Sequence, residues 1–426
     1  MAKSRQHPRA GNAMRRVVPL FLAVALLAAC STTTRRPAPP RLISGSVPEG
    51  YTQRVRLLAS DVEQFAKRSP EFFQGIRDSA SDGSIDILAL SGGGAGGAFG
   101  VGALTGLSRA HARPQYELVT GVSVGALLAP FAYLGSDWDE AMQQAFGGEA
   151  TEHLIGSPRS TLLARLVSPM GHDHGSLYHL VDHFVTPAMI DAVARENAKG
   201  RRLVVATTDL DKGETVLWDM GAIASRGGEV ARATFRDVLV ASASVPGMFP
   251  PMLIHVQDGE HRYDELHVDG SVTTPVFTTP LIAELHPETL SMLHGANLYM
   301  IVNSQVHRFP RTTPLKTLPL LISGFGAALT FKTREAIAET IGITRQLGIR
   351  FLMTSIPVDY PENSFIDFNA SSMRALFNYA ANCAEQGKLW VTPEQGLRRN
   401  LMAHSVPPNG PPSCPTEDPA IVPKTP

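Results

Sequence analysis

Twice in the first third of the chain, a short apolar run ends in glycines and opens into a helical pattern. The first is Ile85-Asp86-Ile87-Leu88-Ala89-Leu90, followed by Ser91-Gly92-Gly93-Gly94-Ala95-Gly96-Gly97 and helical spacing over 98–109. The second is Leu118-Val119-Thr120, followed by Gly121-Val122-Ser123-Val124-Gly125 and a helix over 124–134. Apolar runs this short suit strands buried on both faces, the habit of parallel sheets. Further strands are expected over 202–208, 215–219, 267–268, 297–302 and 350–356, with helices over 315–347 and 371–387. Strands alternating with helices predict an α/β fold with a mostly parallel sheet covered on both faces.

Both glycine turns carry chemistry. A G-x-S-x-G between strand and helix puts Ser123 on a sharp turn, and the helix that follows aims its N-terminal dipole at any charge developing there. Gly121 and Gly125 supply the backbone room that turn needs. The earlier glycine run satisfies G-x-G-x-x-G, so a dinucleotide site has to be weighed. That reading needs an acid at the end of the next strand, where this chain has Ser123, with Glu117 lying before the strand. A P-loop is excluded because no Gly-Lys-Ser/Thr follows. The other use of such a loop is an oxyanion hole, built from the backbone N–H groups of Gly92, Gly93, Gly94, Ala95, Gly96 and Gly97. Asp269-Gly270-Ser271 follows the short strand at 267–268; taken alone, Asp-Gly is a turn.

Together these motifs, with Ala241-Ser242-Ala243-Ser244-Val245-Pro246-Gly247-Met248-Phe249-Pro250-Pro251 between the last two, resemble the patatin-like phospholipase family over about 84–306. The resemblance implies a three-layer α/β/α fold with a mostly parallel central sheet, followed here by a helical C-terminal extension. It implies a lipid carboxylic-ester hydrolase, phospholipase A-like and independent of calcium or any cofactor. Ser123 would be the nucleophile and Asp269 its base, without a histidine, and an acyl-enzyme would be hydrolysed by water. Burial would raise the Asp269 pKa toward the working pH. Two departures stand out. The family often has Arg or Lys where this chain has Gly96, and the Asp-Gly pair ends in Ser271 rather than Gly or Ala.

The N-terminus reads as a targeting segment. Arg15 and Arg16 precede an apolar run over 17–29, too short for the roughly 20 residues that span a bilayer. The run ends in Leu27-Ala28-Ala29-Cys30, which resembles a bacterial lipobox with Cys30 as the acylated residue. An ordinary signal peptide with a chance cysteine is the alternative. Ser31 after the cysteine points to the outer membrane of a Gram-negative cell. The expected organisation is a lipoprotein signal peptide over 1–29, a membrane tether over 30–48 and an N-terminal helical segment over 49–80. The catalytic core follows over 81–310, then a helical and strand extension over 311–395 and a disordered Pro-rich tail over 396–426. Five of the 38 basic residues and none of the 39 acidic ones lie in 1–29, so the remainder is mildly acidic and lacks the basic footprint of a nucleic-acid binder. Cys383 and Cys414 are the remaining cysteines, and an oxidising compartment would let them close a loop of about 30 residues.

Three other readings stay in view. A Ser-His-Asp α/β-hydrolase would need His294, His307 or His404 near Ser123. A metal site would draw on Gly171-His172-Asp173-His174 with His179 and His183, although the H-E-x-x-H form is absent and a polar segment near the site mouth fits better. A catalytically silent lipid-binding lipoprotein would have no need for Ser123, Asp269 and the glycine loop together. Outside the motifs, 147–169 is a candidate lid, and the apolar stretch 315–331 suits a capping helix, a gate or a membrane contact.

Overall fold

The computed structural model describes residues 35–37, 45–146, 175–277, 287–307, 312–361, 365–401 and 412–417. The signal peptide, Cys30, the candidate lid at 147–169, His172 to His174 and His404 lie outside the described residues. Of the two compact units of the chain, Met1–Arg36 with Gly156–Asp173 falls almost wholly outside them. The other, Pro37–Ile155 with His174–Pro426, carries the architecture below.

Its described strands are β1 (Val47–Pro48), β2 (Arg56–Leu58), β3 (Asp86–Leu90), β4 (Leu118–Val122), β5 (Arg202–Asp209), β6 (Glu214–Asp219), β7 (Met252–Asp258), β8 (His261–Asp269), β9 (Asn297–Val302) and β10 (Arg350–Ser355). The described helices are α1 (Val62–Ser79), α2 (Gly97–Arg109), α3 (Val124–Leu134), α4 (Asp139–Phe146), α5 (Gly175–Phe184), α6 (Pro187–Ala198), α7 (Met220–Ser225) and α8 (Gly228–Ala243), then α9 (Pro287–Met292), α10 (Thr317–Leu347), α11 (Ala370–Glu385) and α12 (Pro393–Leu401).

All ten strands join one sheet, along the path β1-β7-β8-β5-β4-β3-β9-β10, with β6 beside β5 and β2 beside β6. Five strands, from β5 through β4, β3 and β9 to β10, run parallel. The remaining pairings are antiparallel. Period-2 alternation divides the apolar side chains between the two faces. Leu88, Leu90, Val119, Leu203 and Val205 enter a core with α2, α3, α6 and α8. Ile87, Ala89, Leu118, Val204 and Ala206 enter a second core with α1 and the second half of α10. The three-layer α/β/α arrangement expected from the sequence is therefore present.

Three segments differ from expectation. The N-terminal segment over 49–80 is not all helix: Arg56–Leu58 forms an edge strand on β6, because its residues face the open backbone of Val216 to Trp218. The strand expected at 267–268 is the end of a longer hairpin, β7–β8. The tail expected from 396 begins inside α12, and residues 412–417 are tied back by a Cys383–Cys414 disulfide. The Tyr379 hydroxyl donates to the Ser413 carbonyl (2.6 Å), and Asp359 accepts from Ser413 (3.0 Å). The C-terminal extension packs closely on the core, since a Cβ at Gly102 of α2 would lie 2.2 Å from the Phe377 carbonyl of α11.

One edge of β5 decides where the site falls. β4 runs beside β5 only as far as Val122, opposite Ala206. From Thr207 onward β8 takes over, with Asp269 opposite Thr207. Strand β6 pairs along both stretches from 204 to 209, so β4 and β8 must share the other edge end to end. The residue after β4 is Ser123 and the last residue of β8 is Asp269. Topology alone brings them together, at the carboxyl ends of the parallel strands where α/β sheets hold their ligands.

Candidate active site

Ser123 connects β4 to α3 with φ 55° and ψ −127°. Among the described residues only His111 is another non-glycine with positive φ. A backbone in that region costs on the order of 1–3 kcal/mol and persists only where the surroundings hold it. Here the Ser123 N–H donates to Ser242 Oγ (3.0 Å), and Ser242 Oγ donates to the Ala206 carbonyl (2.7 Å). The turn also packs against the preceding strand: a Cβ at Gly125 would lie 2.4 Å from the Leu90 carbonyl oxygen. No side chain fits there.

The Ser123 hydroxyl donates to Asp269 Oδ2 at 2.6 Å. The other carboxylate oxygen accepts the Ser271 N–H at 2.7 Å. Asp269 is completely buried, and Ser123 nearly so. The Asp269 backbone is held at both ends, its N–H on the Ser244 carbonyl (3.0 Å) and its carbonyl under the Thr208 hydroxyl (2.9 Å). Burial pushes the Asp269 carboxyl up, the bonds from Ser123 and Ser271 pull it part of the way back, and it settles at about 6. Such a group is largely ionised at neutral pH and basic enough to take a proton from a hydroxyl.

The glycine loop sits beside this pair. A Cβ at Gly92 would lie 3.2 Å from Ser123 Cβ. Four of the six N–H groups expected to point at an oxyanion are engaged elsewhere. Gly92 donates to Pro275, Ala95 to Phe365, Gly96 to Gly93, and Gly97 to Gly94 and Ala95. Those of Gly93 and Gly94 have no acceptor among the described residues, which narrows the candidate donors from six to two. The loop is clamped from behind by Asn303, just past β9. Its N–H reaches Ser91 Oγ and its Nδ2 reaches the Ser91 carbonyl, each at 2.8 Å. A Cβ at Gly96 would lie 2.0 Å from the Asn303 carbonyl oxygen, so the Arg or Lys found there in the family has no room on this backbone.

An apolar slot opens on Ser123, walled by Leu127, Phe146, Leu177, Val245, Phe368 and Met373. At about 40 Å³ it is narrower than a cleft of about 190 Å³ between α1 and the sheet, but that cleft, lined by Arg68, Phe72 and Arg202, lies away from Ser123.

The other candidates fall elsewhere. The hydrogen bonds that reach the Asp269 carboxylate come from serines, not histidine. His267 faces Thr207 Oγ1 (2.9 Å) and Glu265 Oε2 (3.2 Å), and His294 lies against Gly348. His307 lies 3.4 Å from Arg334. His179 and His183 are exposed on α5. Glu117 is buried at the opposite end of the sheet, accepting the Asp86 N–H at 2.7 Å, away from any ribose the glycine loop would hold. A cluster with metal-ligand geometry among the described residues, Asp209, Glu265 and His267, is already met by cations: Lys212 contacts both acids and Arg56 contacts Glu265. Sequence reasoning missed Asn303, Thr208 and the Ser242 relay. Asn303 carried a signal, since it follows an apolar strand at the end where parallel sheets place their sites.

Residues 88–282, a stretch that contains both Ser123 and Asp269, match the patatin-like phospholipase family model. No curated protein matches the chain. Among solved structures, VipD from Legionella pneumophila is 11% identical with a TM-score of 0.29, over 71% of this chain and 67% of that one. Human GIVD cytosolic phospholipase A2 is 10% identical with a TM-score of 0.30, over 65% of this chain and 53% of its own. The match therefore spans about half the length of the human protein.

Proposed function

We propose that the protein is a serine acyl hydrolase that cleaves a carboxylic ester of a lipid with a Ser123–Asp269 dyad. The observation that carries this is the 2.6 Å bond from a strained, buried serine to a buried carboxylate that no cation among the described residues neutralises. Ser123 Oγ attacks the ester carbonyl carbon while its proton passes to Asp269 Oδ2. The carbonyl electron pair moves to oxygen, and the oxyanion is met by the N–H groups of Gly93 and Gly94. Collapse expels the alcohol, which takes the proton back from Asp269, and leaves an acyl-Ser123 ester with its chain in the apolar slot. Water then attacks that ester, giving its proton to Asp269, and Ser123 leaves reprotonated with release of the fatty acid. Donors of this kind are worth about 3–4 kcal/mol each in the transition state.

Acylation of Cys30 would anchor the domain at the outer membrane and raise its effective concentration at lipid. A buried disulfide fits an oxidising compartment such as the periplasm.

Fluorophosphonate labelling, with the adduct mapped by mass spectrometry, tests the reading. Labelling at Ser123 that vanishes in Ser123→Ala is the expected result. A folded protein that labels elsewhere, or not at all, contradicts it.

A further inference from the structure

The exposed face of α10 changes character partway along its length. Among the described residues, the exposed large hydrophobics outside this region are scattered: Val62, Leu210 and Val230. Leu315, Leu320, Leu321 and Phe331 instead fall within one short stretch, with Leu315 at 92% exposure and Leu321 at 66%. On the helix, Leu320, Leu321, Gly324, Ala327, Ala328 and Phe331 recur at helical spacing on the solvent side. The same side continues as Glu335, Ala338 and Glu339. No charged residue lies between Lys316 and Lys332. In contrast, the opposite side of the helix buries Leu329, Thr333 and Ile337, so the exposed apolar stripe is not the face that holds α10 to the sheet.

This stripe adjoins the site. The Phe325 ring lies 6.0 Å from that of Phe365, which lines the slot over Ser123. Lys332 Nζ donates to the Val272 and Thr273 carbonyls, just past Asp269 (3.1 and 3.2 Å). Cations bracket the stripe: Lys316 is exposed at its start, and the Arg334 guanidinium lies 5.6 Å from the Phe331 ring at its end. An uncharged aliphatic stripe between cations matches a lipid surface, with acyl chains under the stripe and phosphates at its ends. No helix among the described residues is long and apolar enough to cross a membrane, so α10 would lie in the interface rather than span it.

We propose that the stretch from Leu315 to Phe331, which leads into and forms the first half of α10, seats on an anionic lipid surface and presents the slot over Ser123 to it. The inference deepens the proposed activity and rests on it for the source of the substrate.

The test uses the full chain with Cys30→Ser, to remove acylation, and Ser123→Ala, to leave vesicles intact. An environment-sensitive fluorophore is placed at Leu321→Cys or, in a second protein, at Glu339→Cys. Both are mixed with vesicles of equal parts phosphatidylcholine and phosphatidylglycerol carrying brominated acyl chains. Bromine quenching at 321 and not at 339 is expected. Equal quenching at both positions, or none at either, overturns the proposal. So does a dimer that shields position 321 without lipid, which would assign the stripe to a second copy.

In the active full chain with Cys30→Ser, Leu320→Ser with Leu321→Ser should lower the rate on the same vesicles, without bromine, by about tenfold or more, matching the loss of one buried leucine. The rate on a soluble short-chain ester should be unchanged. Equal loss on both substrates contradicts the proposal. A protein inactive on every ester would refute the activity, while the quenching result would still decide the docking.

Discussion

Strand β8 buries two carboxylates on one face, Glu265 and Asp269, and the chain treats them in opposite ways. Around Glu265, Arg56 donates through both terminal nitrogens, Lys212 Nζ also reaches Oε1, and His267 Nε2 lies 3.2 Å from Oε2. Burial raises its pKa, but the His267 bond and the Arg56 charge outweigh that, and the carboxyl sits well below the usual range. At Asp269 burial also raises the pKa, yet only neutral donors oppose it, and the carboxyl rises to about 6. Burial is common to both. The cations make the difference, and they divide a structural ion pair from a group fit to act as a base.

The sharpest way to break this contrast is Asp269→Asn. The acylation rate should fall by about 10²–10⁴-fold, measured by burst kinetics on a soluble ester, because the proton acceptor is gone. Thermal stability at pH 8 should hold or rise, since an uncompensated buried charge has been removed.

Arg56→Met should invert that pattern. Stability falls by about 3–5 kcal/mol in urea unfolding, because Glu265 loses a buried partner, while the rate per folded molecule stays close to the parent. Adding Glu265→Leu should recover part of the loss. A double variant no more stable than the single one would break the claim that this end of β8 is held by charge pairing.

The smallest effect belongs to Thr208→Val, which removes the hydroxyl over the Asp269 carbonyl. It should cost about 1 kcal/mol in the same unfolding assay.

The contrast between the two carboxylates was only half legible in the sequence. Ser123 stands out because its flanking glycines mark a turn that needs room, whereas Asp269, in an ordinary Asp-Gly turn, was marked only by the resemblance that the combined motifs carry. The parallel core was readable from unbroken apolar runs such as Ile87 to Leu90. Why the two residues meet was not readable, because it depends on β4 and β8 sharing one edge of β5, a pairing between segments far apart in the chain. The Glu265 partners were hidden for the same reason: Arg56 lies 209 residues away. The count of free donors in the glycine loop was also out of reach. It depends on carbonyls at Pro275 and Phe365 that no local pattern brings to the loop.

The pH dependence of Ser123 acylation tests the central claim most directly. Asp269 must be ionised to accept the proton, so the rate on a soluble ester should be level above about pH 7. Below about pH 6 it should fall tenfold for each further unit, as the carboxylate protonates. Stability linked to Asp269 moves the other way. Its folded pKa is raised, so its contribution is full below the unfolded pKa and is lost as pH rises through about 6. Glu265, held low, stays ionised through that window. The account predicts an acid limb near pH 6 in the parent that disappears in the residual activity of Asp269→Asn. A limb near pH 4, or one that survives the substitution, would show that a different group takes the proton from Ser123.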